Sequence, residues 1–217
     1  MTDYTDNLER IIKEMLRPLR NVPFNLVIEA ISTKKILLFN SSLPENSELL
    51  MSLEKAADSA GRKINRNGIQ SKRANEVGNA IEGFVKAALN ELGLRAATPT
   101  ASRGKKKATG YPDIEMTDLL GRTSYLECKT YNNENISTTQ RSFYLSPSEN
   151  FKVTKDAFHF LLAYEVFTQR SHGNMNIYGC KTFKIISLED LLVDVKYEFN
   201  SDNRRLYSAR VLIEKNL

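Results

Sequence analysis

The chain has 217 residues, of which 41% are hydrophobic and 26% charged, a balance that argues against extended disorder and allows one substantial domain with a real core. It contains no run of about 18 apolar residues for a membrane span, and its polar start, MTDYTDNLER, is not a signal peptide, so a cytoplasmic protein without a membrane partner is expected. Cys128 and Cys180 are widely spaced and only His159 and His172 could assist them, which argues against structural zinc and for two reduced, packed thiols. The net charge of +5 is modest, but its cations are clustered in a way that favours a polyanionic partner.

In chain order, the first predicted helix carries Leu8, Ile11, Ile12, Met15, Leu16 and Leu19 at helical spacing before Pro18 and Pro23 disturb the pattern. Such a stripe serves a core or a dimer interface, and the pattern does not choose between them. Residues 24–31 and 36–39 are apolar and fit either helix or strand. A helix is expected from Pro44 to Ala60, ended by Gly61. The basic segment GRKINRNGIQSKR follows as a connector. In it Arg62, Lys63, Arg66, Lys72 and Arg73 alternate with asparagine, glutamine and serine, a composition suited to phosphates and base edges, with an ordinary solvated loop as the other reading.

The longest predicted helix spans Ser71 to Leu92, with Val77, Ile81, Phe84, Val85, Ala88, Leu89 and Leu92 on its apolar face and Gly93 closing it. A polar stripe of Asn75, Asn79, Glu82 and Lys86 runs beside that face, which puts Glu82 on the boundary of the buried side. Leu94 to Thr98 is expected to form a strand. The loop ASRGKKKATG, with Arg103, Lys105, Lys106 and Lys107, then leads toward an acidic hairpin, where it would meet a phosphodiester backbone or remain a solvated loop.

That hairpin comprises two strand-like runs, Tyr111 to Thr117 and Thr123 to Tyr131, around a turn containing Gly121. Pairing centred near Leu120 sets Asp113 opposite Glu127 and Tyr111 opposite Lys129, while Ile114, Met116, Leu126 and Cys128 take the other face. Opposed like charges destabilise a sheet by roughly 0.2 to 1 kcal/mol, and a bound cation is the simplest reason for tolerating them. Two carboxylates and the backbone carbonyl of Cys128 are hard oxygen donors of the kind magnesium prefers. Lys129, on the same face as Glu127, would aim an ammonium at the same place.

Pro112-Asp113, thirteen intervening residues and Glu127-Cys128-Lys129 resemble the PD-(D/E)XK nuclease motif. The resemblance covers mainly residues 70–165 and is strongest to type II restriction endonucleases. It implies that Asp113 and Glu127 bind Mg2+ and that Lys129 assists the nucleophile. The helix containing GNAIEGFVKAALNELG resembles the one that precedes this motif, which implies that Glu82 reaches toward the metal; a plain boundary glutamate is the alternative.

Beyond the hairpin, YNNENISTTQRSFYLSPSEN is a turn-rich candidate recognition segment in which Gln140 and Arg141 are suited to base contacts. Ala157 to Phe167 reads as a central strand buried on both sides, with His159 as a hydrogen-bonded core residue. Asn176 to Ile186 reads as a strand, Ser187 as the cap of a short helix through Val193, and Tyr197 to Phe199 with Leu206 to Ile213 as a closing hairpin.

The element order indicates an α/β or α+β protein with a mixed central sheet flanked by helices, a restriction-endonuclease-like core. Residues 1–217 are expected to form one nuclease domain, with 1–68 as a helical N-terminal part and 69–217 as the catalytic core. The expected activity is Mg2+-dependent hydrolysis of double-stranded DNA at a short site by a homodimer. A Holliday-junction resolvase, a repair nuclease of the same superfamily and a non-catalytic nucleic-acid-binding module are the rivals.

Overall fold

The structure is a computed structural model that describes residues 2–72, 76–106, 109–132, 143–197, 201–202, 204–205 and 213. Its elements are α1 (Thr2–Met15), β1 (Leu19–Pro23), α2 (Phe24–Ser32), α3 (Pro44–Asn67), β2 (Ile69–Ser71), α4 (Val77–Glu91), β3 (Arg95–Ala97), β4 (Ile114–Thr117), β5 (Thr123–Tyr131), β6 (Phe158–His172), β7 (Met175–Ser187) and β8 (Leu192–Val195). They fall into two compact units, one of Met1–Val22 with Leu192–Leu217 and one of Pro23–Leu191. In the first unit, β1 and β8 form a two-stranded sheet, and the α1 residues Leu8, Ile11 and Ile12 remain 37–40% exposed.

The second unit is built on a six-stranded sheet in the order β2-β7-β6-β5-β4-β3. Only β5 and β6 run parallel, so the sheet is mixed, as expected. Ile114, Met116, Leu126, Phe160, Leu162 and Tyr164 share one core with the buried faces of α3 and α4. On the opposite face Tyr111, Phe24 and Phe143 pack edge to face, and Tyr111 stacks on His159 at a ring separation of 5.8 Å. β6 is the central strand that its continuous apolar run implied, because both neighbouring strands and both faces cover its first half.

Three sequence expectations need correction. First, α3 does not stop at Ala60 but continues to Asn67, so Arg62, Lys63 and Arg66 lie on a helix instead of a connector. Leu53, Ala57, Ala60 and Ile64 carry the apolar stripe through that point, all fully buried, and Gly61 is buried among them. The helix ends at Gly68, whose φ of 69° suits glycine and whose missing side chain makes room for Ile177.

Second, α4 starts at Val77 and not at Ser71, because Ile69–Ser71 are drawn out as edge strand β2 against Tyr178, Ile177 and Asn176. Third, no helix follows Ser187. Ser187 is still paired with Phe160, and the Leu188 N–H extends the contact to the His159 carbonyl at 2.9 Å, so the chain leaves the sheet only to turn at Leu188–Leu191 and enter β8. The closing hairpin expected near the C-terminus falls mostly outside the described residues.

Candidate active site

Local alternation set the hairpin register, and the observed pairs Ile114↔Leu126, Glu115↔Tyr125, Met116↔Ser124 and Thr117↔Thr123 follow the expected centre at Leu120. The turn is tied by Asp118, which accepts the backbone N–H groups of Leu120 and Arg122, with Gly121 at a φ of 80°. Arg122 braces it against α3: its guanidinium reaches Asp118 Oδ2 at 2.7 Å, Asn46 Oδ1 at 2.7 Å and the Glu45 carbonyl at 2.8 Å.

At the other end of the hairpin, regular pairing stops at Ile114 and Asp113 takes over with its side chain. Its Oδ2 accepts the Cys128 N–H at 2.8 Å, while its own N–H donates to the Leu126 carbonyl at 3.1 Å. Asp113 is thereby anchored to β5 beside Glu127. Glu127 is 3% exposed; its Oε1 accepts from Lys129 Nζ at 2.5 Å, and its buried Oε2 has no hydrogen-bond partner among the described residues.

Burial, and then the charge of Asp113, push the Glu127 carboxyl from its ordinary 4.5 to about 7, against the pull of Lys129. Burial likewise raises Asp113, opposed by the Cys128 N–H and the Lys129 charge. A carboxylate oxygen withdrawn from water without a donor is costly. Among the described residues no group of three or more His, Cys, Asp and Glu side chains is arranged to hold a metal, so the donors available here are two carboxylates and main-chain oxygen.

Glu82 lies half-buried on α4 and is engaged by Lys86 at 2.7 Å; its charge contributes to the rise at Asp113. His159 is a core residue, 1% exposed, with Nδ1 2.5 Å from the Tyr111 hydroxyl, and burial lowers it to about 3. Cys128 and Cys180 are free and buried, as expected.

The basic residues are spread more widely than the sequence suggested. Arg62 is paired with Asp58 at 2.7 Å, Lys63 with Glu91, and Arg103 with Glu149 at 2.7 Å. Arg66, Lys72, Lys105 and Lys106 are exposed. Arg73, Lys107, Gln140 and Arg141 lie outside the described residues. Lys106 joins two cations that sequence reasoning passed over, Arg95 and Lys155, around an open groove of about 530 Å³. Glu115 and Thr117 of β4 also line it.

The model of the type II restriction enzyme MjaV family matches residues 18–210. The chain belongs to that family. The type II restriction enzyme MjaV of Methanocaldococcus jannaschii is 38% identical over 230 residues, covering 99% of this chain and 97% of the relative. No solved structure matches significantly. The resemblance to type II restriction enzymes read from the hairpin motif is therefore borne out over nearly the whole MjaV-family chain, including the helical segments outside that motif. Besides Arg95 and Lys155, two residues of this MjaV-family member that bear on the site were not singled out from sequence, Arg122 and Lys152. The only trace of Lys152 was a lysine set between the apolar Phe151 and Val153.

Proposed function

We propose that this MjaV-family chain is a Mg2+-dependent endonuclease that hydrolyses phosphodiester bonds of double-stranded DNA at a short specific site, acting as a homodimer. The observation that carries the reading is the buried Oε2 of Glu127, without a partner among the described residues, beside the anchored Asp113. Those two carboxylates, with the Cys128 carbonyl, would hold the ion. A magnesium ion so bound neutralises charge at the scissile phosphate and acidifies water.

The protein's own groups do the rest. The Cys128 N–H orients Asp113, and Lys129, held on Glu127, places a positive charge where negative charge develops during phosphoryl transfer. Glu82 adds negative potential from α4. The exposed Lys105 and Lys106 and the groove of Arg95 and Lys155 suit the DNA backbone. Two-strand cleavage at a symmetric site is most simply done by two copies, and the exposed apolar residues of α1 are compatible with self-association.

Digestion of long linear DNA with Mg2+ tests the reading. Discrete fragments are expected from the wild type, and none from Asp113→Ala or Glu127→Ala, both of which keep DNA binding. Cleavage retained by both variants would remove the assignment.

A further inference from the structure

Lys152 is 2% exposed and belongs to no sequence motif. Its Nζ donates to the Gly110 carbonyl and, at 2.5 Å, to the Pro112 carbonyl, thereby gripping the main chain on both sides of Tyr111. The segment that carries Lys152 is itself fixed. The Phe151 carbonyl accepts the Ser102 N–H at 2.8 Å, Val153 is 3% exposed, and the Thr154 N–H donates to the Tyr125 hydroxyl at 3.0 Å. On the other side of the grip, the Tyr111 ring is pinned by His159. Asp113 is the next residue after the gripped carbonyl of Pro112.

Tying two carbonyls together does not call for a full charge, and a buried ammonium costs several kcal/mol of desolvation unless anions nearby offset it. Asp113 and Glu127 are anions of this kind, and both feel the Lys152 charge in the sense that favours their ionised forms. We propose that Lys152 is a positioning residue for the acid pair: by holding the Gly110 and Pro112 carbonyls it fixes the direction in which Asp113 presents its carboxylate to a divalent cation.

The proposal rests on Asp113 and Glu127 being the cation's ligands, and Mn2+ binding by the full-length protein, followed by electron paramagnetic resonance without DNA, separates the two ideas. Coulomb's law alone says that removing a nearby positive charge should tighten Mn2+; positioning says the opposite. Lys152→Met should weaken Mn2+ by about tenfold or more and slow single-turnover cleavage by about a hundredfold, as loss of an orienting group does at metal sites. DNA binding without metal should be unchanged. In an Asp113→Asn background, Lys152→Met should weaken Mn2+ no further.

Unchanged or tighter Mn2+ binding by a folded Lys152→Met protein overturns the proposal. If that variant does not fold, Lys152→Gln, which keeps a donor for one carbonyl, is measured in its place, and unfolding of both shows a purely structural lysine and overturns it too. If Asp113→Asn alone leaves Mn2+ binding intact, the ligand assignment fails first and the proposal with it.

Discussion

The Lys129 ammonium lies 2.5 Å from Oε1 of Glu127, while the other oxygen of the same carboxylate is buried without a partner among the described residues. One lysine thus satisfies half of a carboxylate that the fold has removed from water. The site is costly to the protein alone, and that cost can be measured.

Burial raises Glu127 from 4.5 to about 7, so between those values the folded protein binds more protons than the unfolded chain. Stability from this group is full below pH 4.5 and declines as pH rises to about 7. Glu127→Gln should therefore raise the melting temperature of the metal-free protein at pH 8, by an amount on the order of 2–3 kcal/mol in stability, and flatten the pH dependence across that window. Cleavage should be lost at the same time. Thermal melts at pH 5 and pH 8 decide the matter, and an unchanged difference between them would show that Glu127 is not the group responsible.

Lys129→Met keeps most of the side chain's length and removes its charge. The fold and Mn2+ binding should survive, whereas the chemical step should slow by orders of magnitude, since loss of a preorganised charge at such a site costs roughly 3 to 4 kcal/mol. Single-turnover cleavage at saturating Mg2+ measures this directly, and a near wild-type rate would mark Lys129 as an ordinary lysine.

Arg122 joins the hairpin turn to the start of α3 through Asp118, Asn46 and Glu45, with its guanidinium 5.7 Å from the Phe158 ring centre. Arg122→Leu leaves the 7%-exposed Asp118 without its ion partner, which should cost on the order of 3 kcal/mol in chemical denaturation. The loss should appear as a lower denaturation midpoint with little change in slope. A midpoint equal to wild type would mean that the brace contributes nothing net.

DNA binding should weaken steeply with salt. Replacing Lys105, Lys106 and Lys107 together by glutamine should lower the slope of log affinity against log salt by up to about three, close to one for each phosphate that is no longer neutralised. Adding Arg95→Gln and Lys155→Gln should lower it further if the groove carries the backbone. A slope unaltered by all five changes would mean that other residues neutralise the phosphates.

What the sequence determined by itself was whatever depends on neighbours in the chain. The period-two alternation and the turn at Asp118–Gly121 were enough for the hairpin register, and hence for the expectation that Asp113 and Glu127 meet, because one slipped residue would bury the wrong face. The apolar run of β6 and the buried role of His159 were legible for the same reason.

Tertiary structure decided the rest. Gly61 reads as a helix end until the sheet covers the apolar stripe that α3 carries past it to Ile64, and Ser187 reads as a helix cap until Phe160 pairs with it. The basic connector and the basic loop looked suited to phosphates until Asp58, Glu91 and Glu149 claimed three of their members. Lys152 meets Gly110 and Pro112 across about forty residues of chain, and no local pattern encodes such a meeting. Its effect is set by burial and by two anions from other parts of the chain, quantities that exist only once the chain has closed.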